Sequence, residues 1–188
     1  FKYIQAHAST PLSKADKQLL EKIFVPKKVK KHQFIQQPGE ISRFLGFVVK
    51  GALRQYSVDT KGFERMVYLS IENWWTGDRE SFTKQQPSIY YIQAWEESDL
   101  LTINSDGMKQ ANGIKAIQEM VKTLDSNHAF ALLKRVNAAI SLSAEERYAE
   151  LEKKYPQFLQ RFPQHIIASY LGITKETLSR VRNQATKK

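Results

Sequence analysis

Apolar residues along the chain change their spacing twice. Near the start, Leu19, Leu20, Ile23 and Phe24 form a helical stripe. Ser13 followed by Asp16 resembles a capping box that opens this helix, and Pro26 ends it. From about residue 29 to residue 105 the texture becomes short runs rich in Val, Ile, Tyr and Phe. These are Phe44–Val49, Leu53–Val58, Phe63–Ile71, Ile89–Trp95 and Leu100–Ile103. Turn signals at Pro38-Gly39, Lys50-Gly51, Asp59–Gly62 and Gly77-Asp78 separate them. Short strands with frequent turns predict a sandwich or barrel.

After Ile103 the period lengthens again. Ile114, Ile117, Val121, Leu124, His128 and Ala131 recur at alternating intervals of three and four, the seam of a helix about 25 residues long. Met120, Leu132 and Val136 widen its apolar face. One reading is a dimer seam between a β domain and a basic tail; the other is an ordinary helix lying on its own core. His128 on this seam is read as a packing residue. Ser143 with Glu146 opens a further capped helix that Tyr155-Pro156 closes, and Pro163 starts another. A domain boundary is expected between Ala138 and Ser143.

Composition narrows the function. The 188 residues hold 29 Lys and Arg against 19 Asp and Glu, a formal charge of +10, with no cysteine. Disulfide scaffolds, Cys-ligated zinc, iron–sulfur clusters and thiol nucleophiles are therefore excluded. No apolar run approaches the ~20 residues that span a bilayer. The opening Phe1-Lys2-Tyr3-Ile4 is not a signal peptide, and the missing Met points to a trimmed or incomplete N-terminus. These features predict a soluble, cytoplasmic protein without a membrane partner. From Arg161 onward the basic residues are Arg161, Lys175, Arg180, Arg182, Lys187 and Lys188, against Glu176 alone. Such a tail suits a polyanionic partner.

Within that tail, Gln164 to Val181 meets the demands of a helix-turn-helix. Ala168 is the small residue where two helices cross, and Gly172, four positions later, tolerates the turn. Ile167, Leu171, Ile173, Leu178 and Val181 pack one helix on the other, and Thr174 is the N-cap of the second. Lys175, Glu176, Ser179, Arg180 and Asn183 are left to face outward, flanked by Thr177. Arg or Lys can read guanine O6/N7 and Glu can accept from cytosine N4. A helix hairpin without DNA-reading ability is the alternative.

With these residues in view, the chain resembles the CRP/FNR family of bacterial transcription regulators. The order is the family's: an N-terminal β-roll related to cyclic-nucleotide-binding domains, a long dimerisation helix, then a helix-turn-helix. The resemblance implies an α+β fold with residues 1–108 as the effector-type domain, 109–140 as the dimerisation helix and 141–188 as the DNA-binding domain. The family's cyclic-AMP-responsive members run Arg-Glu-Thr-Val-Gly-Arg along the recognition helix; here it is Lys175-Glu176-Thr177-Leu178-Ser179-Arg180. Lys175, Glu176 and Arg180 should touch base edges. Only eight residues follow Arg180, which resembles the short, wingless branch and passes phosphate contacts to Arg182, Lys187 and Lys188. The implied partners are a palindromic double-stranded operator, a second copy of the chain and RNA polymerase.

The β-roll resemblance rests on Gln37-Pro38-Gly39-Glu40, Phe47–Gly51 and Gly77-Asp78. In cyclic-nucleotide binders the third segment cradles the phosphate, with a Gly-Glu-Leu start and an Arg about ten residues on. Here the segment runs Gly77, Asp78, Arg79, Glu80, with Ser88 where the Arg belongs and Ile89 where a hydroxyl belongs. Losing the charge that pairs with a buried phosphate costs on the order of 2–5 kcal/mol, so binding of cyclic AMP or GMP is expected to be weak or absent. Trp74, Trp75, Tyr90, Tyr91 and Trp95 either fill the pocket or line it for another effector. No cofactor or metal is expected. A cupin-like metalloenzyme needs converging His ligands, and only His32 falls in the β region. The expected function is a homodimeric DNA-binding regulator and not an enzyme. The rival is a ligand-binding or protein-interaction module with a degenerate helix-turn-helix.

Overall fold

The computed structural model describes residues 1–185. Helices α1 (Lys2–His7) and α2 (Lys14–Ile23) lead into strands β1 (Val25–Val29), β2 (Phe34–Gln36), β3 (Phe44–Lys50), β4 (Leu53–Val58), β5 (Glu64–Ser70) and β6 (Trp75–Thr76). A short helix α3 (Arg79–Lys84) precedes β7 (Tyr91–Ala94) and β8 (Ser98–Asn104). Helices α4 (Ser105–Ala111), α5 (Lys115–Ser141), α6 (Ala144–Lys154), α7 (Pro156–Arg161), α8 (Gln164–Leu171) and α9 (Lys175–Ala185) complete the chain. The class is α+β.

Two compact units divide the described residues. The first holds residues 1–53 and 70–130; the second holds residues 54–69 and the chain from 131 onward. In the first, one sheet runs β1-β8-β3-β6, with every neighbour antiparallel. Pro26, expected to end the first helix, lies inside β1 opposite Leu101. An outer strand tolerates a residue that cannot donate to the ladder. The helix ends earlier, at Ile23, where the Phe24 N–H still reaches the Leu20 carbonyl. The capping box of Ser13 and Asp16 forms, as does that of Ser143 and Glu146.

Two apolar clusters stabilise the first unit. Val29, Val48, Leu53, Ile92, Ala94 and Leu100 form one. Leu20, Ile23 and Ile103 meet Ile114, Ile117 and Met120 in the other. In the second unit Phe158 is fully buried beside Phe162 and Tyr170, their rings edge-on at 5.7 and 5.9 Å. The hairpin β4–β5 belongs to this unit, although its sequence interrupts the first.

Candidate nucleic-acid interface and effector cradle

The C-terminal motif is built by local chemistry. Helix α8 stops at Gly172, whose φ of +68° is left-handed and needs no Cβ. Arg147 of α6 donates to the Leu171 carbonyl at 2.7 Å, satisfying a helix end that would otherwise lack partners. Thr174 opens α9 by accepting from the Thr177 N–H at 3.2 Å. Ile167, Ala168, Leu178 and Val181 are buried between the helices. All the apolar positions of the motif but Leu171 and Ile173, which are half-buried, are thereby closed to solvent.

Lys175, Glu176, Ser179, Arg180 and Asn183 are exposed and line one concave patch of about 540 Å³. Gln164 and Gln184 complete it. Neither glutamine was singled out from sequence; Gln184 follows Arg180 by one helical turn, a spacing that could have identified it. Glu176 is held below the ordinary carboxylate range by its own backbone N–H, then by the Thr174 hydroxyl and the Lys175 charge. It therefore remains an acceptor at neutral pH. Thr177 is half-buried at the flank. Arg182 turns away from the patch and hydrogen-bonds the Tyr148 hydroxyl of α6. Burial, with Glu152 close by, pushes that hydroxyl up, against the influence of Arg182. Lys187 and Lys188 lie outside the described residues.

The segment after Gly77 has a different character. Gly77 sits at φ +135°, and a Cβ there would lie 2.8 Å from a Leu45 methyl. Asp78 and Ser88 are both buried and meet at 2.6 Å, the hydroxyl donating to the carboxylate. The second Asp78 oxygen accepts from the N–H groups of Glu80 and Ser81 at 3.1 and 3.2 Å, capping α3. Ser88 in turn accepts from the Tyr90 N–H at 3.0 Å. The side chains of the remaining cradle residues do not converge there. Arg79 forms a two-pronged pair with Asp125 of α5, Glu80 pairs with Lys84, and Ile89 is exposed.

The aromatics are dispersed over separate contacts. Trp75 packs on Phe47 and Phe24, Trp95 on His32, and Tyr91 on Phe34. Among the described residues, no three His, Asp or Glu side chains group to hold a metal. Nor is any described helix long and apolar enough to cross a membrane.

The helix seam divides between two surroundings. Ile114 and Ile117 lie in the chain's own core, and Val121 and Leu124 pack half-buried against it. His128 and Ala131 are exposed. Residues advance about 100° each around α5, so Leu133, Val136 and Ile140 lie roughly 90–150° from the Ile117–Leu124 face. Those three, with Phe130 and Leu132, are all exposed.

Comparisons with known proteins agree with this architecture. A model of the cyclic nucleotide-binding domain matches residues 26–111. No curated protein matches the sequence. Among solved structures, the chain is similar to FixK2 from Bradyrhizobium japonicum, with a TM-score of 0.72 and 18% identity over 88% of this chain and 85% of that one. A CRP/FNR family transcriptional regulator from Thermus thermophilus gives 0.64 and 17%, covering 87% and 86%. The catabolite activator protein of the same organism gives 0.56 and 20%, covering 94% and 84%. Residues 26–111 therefore match the cyclic nucleotide-binding domain, and the chain has the fold of solved CRP/FNR family transcription regulators.

Proposed function

We propose that the chain is a homodimeric, sequence-specific DNA-binding transcription regulator of CRP/FNR type that does not respond to cyclic AMP. The observation that carries this reading is the concave patch on α9, where Lys175, Glu176, Ser179, Arg180 and Asn183 stand exposed together. Arg180 and Lys175 suit guanine, Glu176 suits cytosine, and Gln164 and Gln184 add amides that suit adenine or phosphate. Residues 1–108 act as the effector-type domain, 109–140 as the dimerisation helix and 141–188 as the DNA-binding domain. Two reading helices would enter successive major grooves about 34 Å apart. The exposed stripe of Leu133, Val136 and Ile140 offers the partner copy an apolar face, each side chain worth about 1.5–3 kcal/mol when buried. Such a protein works in the bacterial cytoplasm, meets RNA polymerase at promoters and catalyses no reaction.

Independence from cyclic AMP is supported by the Asp78–Ser88 pair. A carboxylate already accepts the N–H groups at the start of α3, and the side chain opposite it, Ser88, brings a hydroxyl and no positive charge to an incoming phosphate. The test is selection of bound sequences from a random DNA pool, with and without cyclic nucleotides, at fixed salt. The expected result is one palindrome, recovered equally in both arms. Failure to enrich any sequence refutes the DNA-reading role; enrichment only with cyclic AMP refutes the closed cradle.

A further inference from the structure

The β4–β5 hairpin raises a question that DNA reading leaves open. Residues 54–69 are encoded within the first unit, yet they belong to the compact unit that holds the helix-turn-helix. Its flanking residues, Leu53 and Ser70, are both buried, and Leu53 sits in the Val29–Leu100 cluster of the first unit. Strand β5 is an outer strand, paired with β4 on one side. An unpaired strand edge is normally shielded by charge, bulge or cover. Here two side chains cover it.

Ser169 of α8 acts as a substitute strand. Its hydroxyl donates to the Glu64 carbonyl and accepts from the Met66 N–H, both at 2.9 Å. Arg135 of α5 continues the cover. Its guanidinium donates to the Val67 carbonyl, to the Met66 carbonyl at 3.2 Å and to the Tyr170 carbonyl of α8 at 3.3 Å. The same group lies 4.2 Å from the centre of the Tyr170 ring. One guanidinium thus links the hairpin, the long helix and the first helix of the motif. Ser169 lies about 140° around α8 from Gln164, which faces the reading patch. The contacts support the motif from behind and leave the reading side chains open.

We infer that Ser169 and Arg135 form a clasp through which the β4–β5 hairpin fixes the orientation of the DNA-reading motif. Both are positioning residues, since neither lines the reading patch. Within its own unit the motif is then held by two connections, the end of the long helix and the β4–β5 hairpin. With the clasp open, α9 keeps its side chains and its local fold but loses its fixed orientation. Recognition of one half-site should survive. Recognition of a palindrome, which needs two reading helices presented together, should weaken.

This inference rests on the DNA-reading function, and the experiment separates the two. Full-length Ser169→Ala and Arg135→Met proteins are titrated against the selected palindrome and against an isolated half-site, and amide hydrogen exchange is followed in parallel. The expected result is a roughly tenfold loss on the palindrome, an unchanged half-site affinity, and recovery in Ser169→Thr, which keeps the hydroxyl. Exchange should quicken together across residues 54–69. Equal losses on both duplexes, or no loss on either, overturn the clasp. If the wild-type protein selects no DNA, the reading function has failed and exchange alone decides. Faster exchange along the whole hairpin then upholds the clasp, and a change confined to Met66 refutes it.

Discussion

Two regions of this chain use similar polar side chains to opposite ends. After Gly77, the buried Asp78 and Ser88 bond each other, and each also accepts from backbone N–H groups nearby. On α9, Glu176, Ser179 and Arg180 stand in solvent around an open patch. Burial accounts for the difference. A polar group removed from water must find partners within the chain or cost about 1–3 kcal/mol, and the buried Asp78 and Ser88 find them in each other and in nearby N–H groups. An exposed helix face is under no such demand. Its side chains remain available, and availability is what a binding surface requires.

The largest effect should come from breaking the closed region. Asp78→Ala strands the Ser88 hydroxyl and the N–H groups of Glu80 and Ser81, and removes a helix cap. The expected loss is about 3 kcal/mol of stability, measured by urea denaturation. Ser88→Ala should cost about 1 kcal/mol, and the double variant less than the two losses together, because they share one bond. Additive losses would show that the pair is not coupled. Half-site DNA affinity of the folded protein should stay the same throughout.

On the open region the pattern reverses. Arg180→Ala should leave the urea midpoint nearly unmoved, since the side chain is exposed. It should remove about 1–3 kcal/mol of discrimination at one base pair while retaining most non-specific binding. Repeating the sequence selection with the variant measures this directly. A stability loss without a change in sequence preference would place Arg180 among the structural residues.

The open region was also the more legible one in sequence, for the same reason. Ala168, Gly172, Thr174 and Leu178 act within about ten residues of one another, so their spacing carries the whole motif. The long helix shows what spacing cannot carry. Ile114, Ile117, Val121 and Leu124 have the periodicity of a covered face, but periodicity does not say whether a second copy or the chain's own core covers it. In the structure the core covers that portion, and the exposed apolar stripe begins later, around Phe130. Arg135 and Ser169 gave no sequence signal at all. Their partners on β5 lie 68 and more residues away, and nothing local distinguishes them from ordinary surface residues. Strand β1 was hidden by Pro26, whose usual meaning as a helix terminator masked its place on an outer strand.

A smaller effect, visible only in acid, contrasts two carboxylates. Glu119 on α5 accepts from the N–H and hydroxyl of both Ser9 and Thr10, at 2.6 to 2.9 Å. These bonds, the Thr10 hydroxyl first among them, lower its pKa to about 2. Because the folded value lies below the ordinary 4.5, the contribution of this strap is complete above that pH and fades as pH falls towards 2. Glu176 is also lowered, but by its own N–H and by neighbours within two residues, so it holds no distant segment in place. Urea midpoints at pH 5, 4 and 3 should therefore show Glu119→Gln less stable than wild type, with the gap narrowing as Glu119 of the unfolded wild-type chain takes up its proton. Glu176→Gln should track wild type more closely at every pH. A Glu119→Gln gap that stays constant with pH would mean that the strap depends on shape and not on charge, and the two carboxylates would no longer differ in kind.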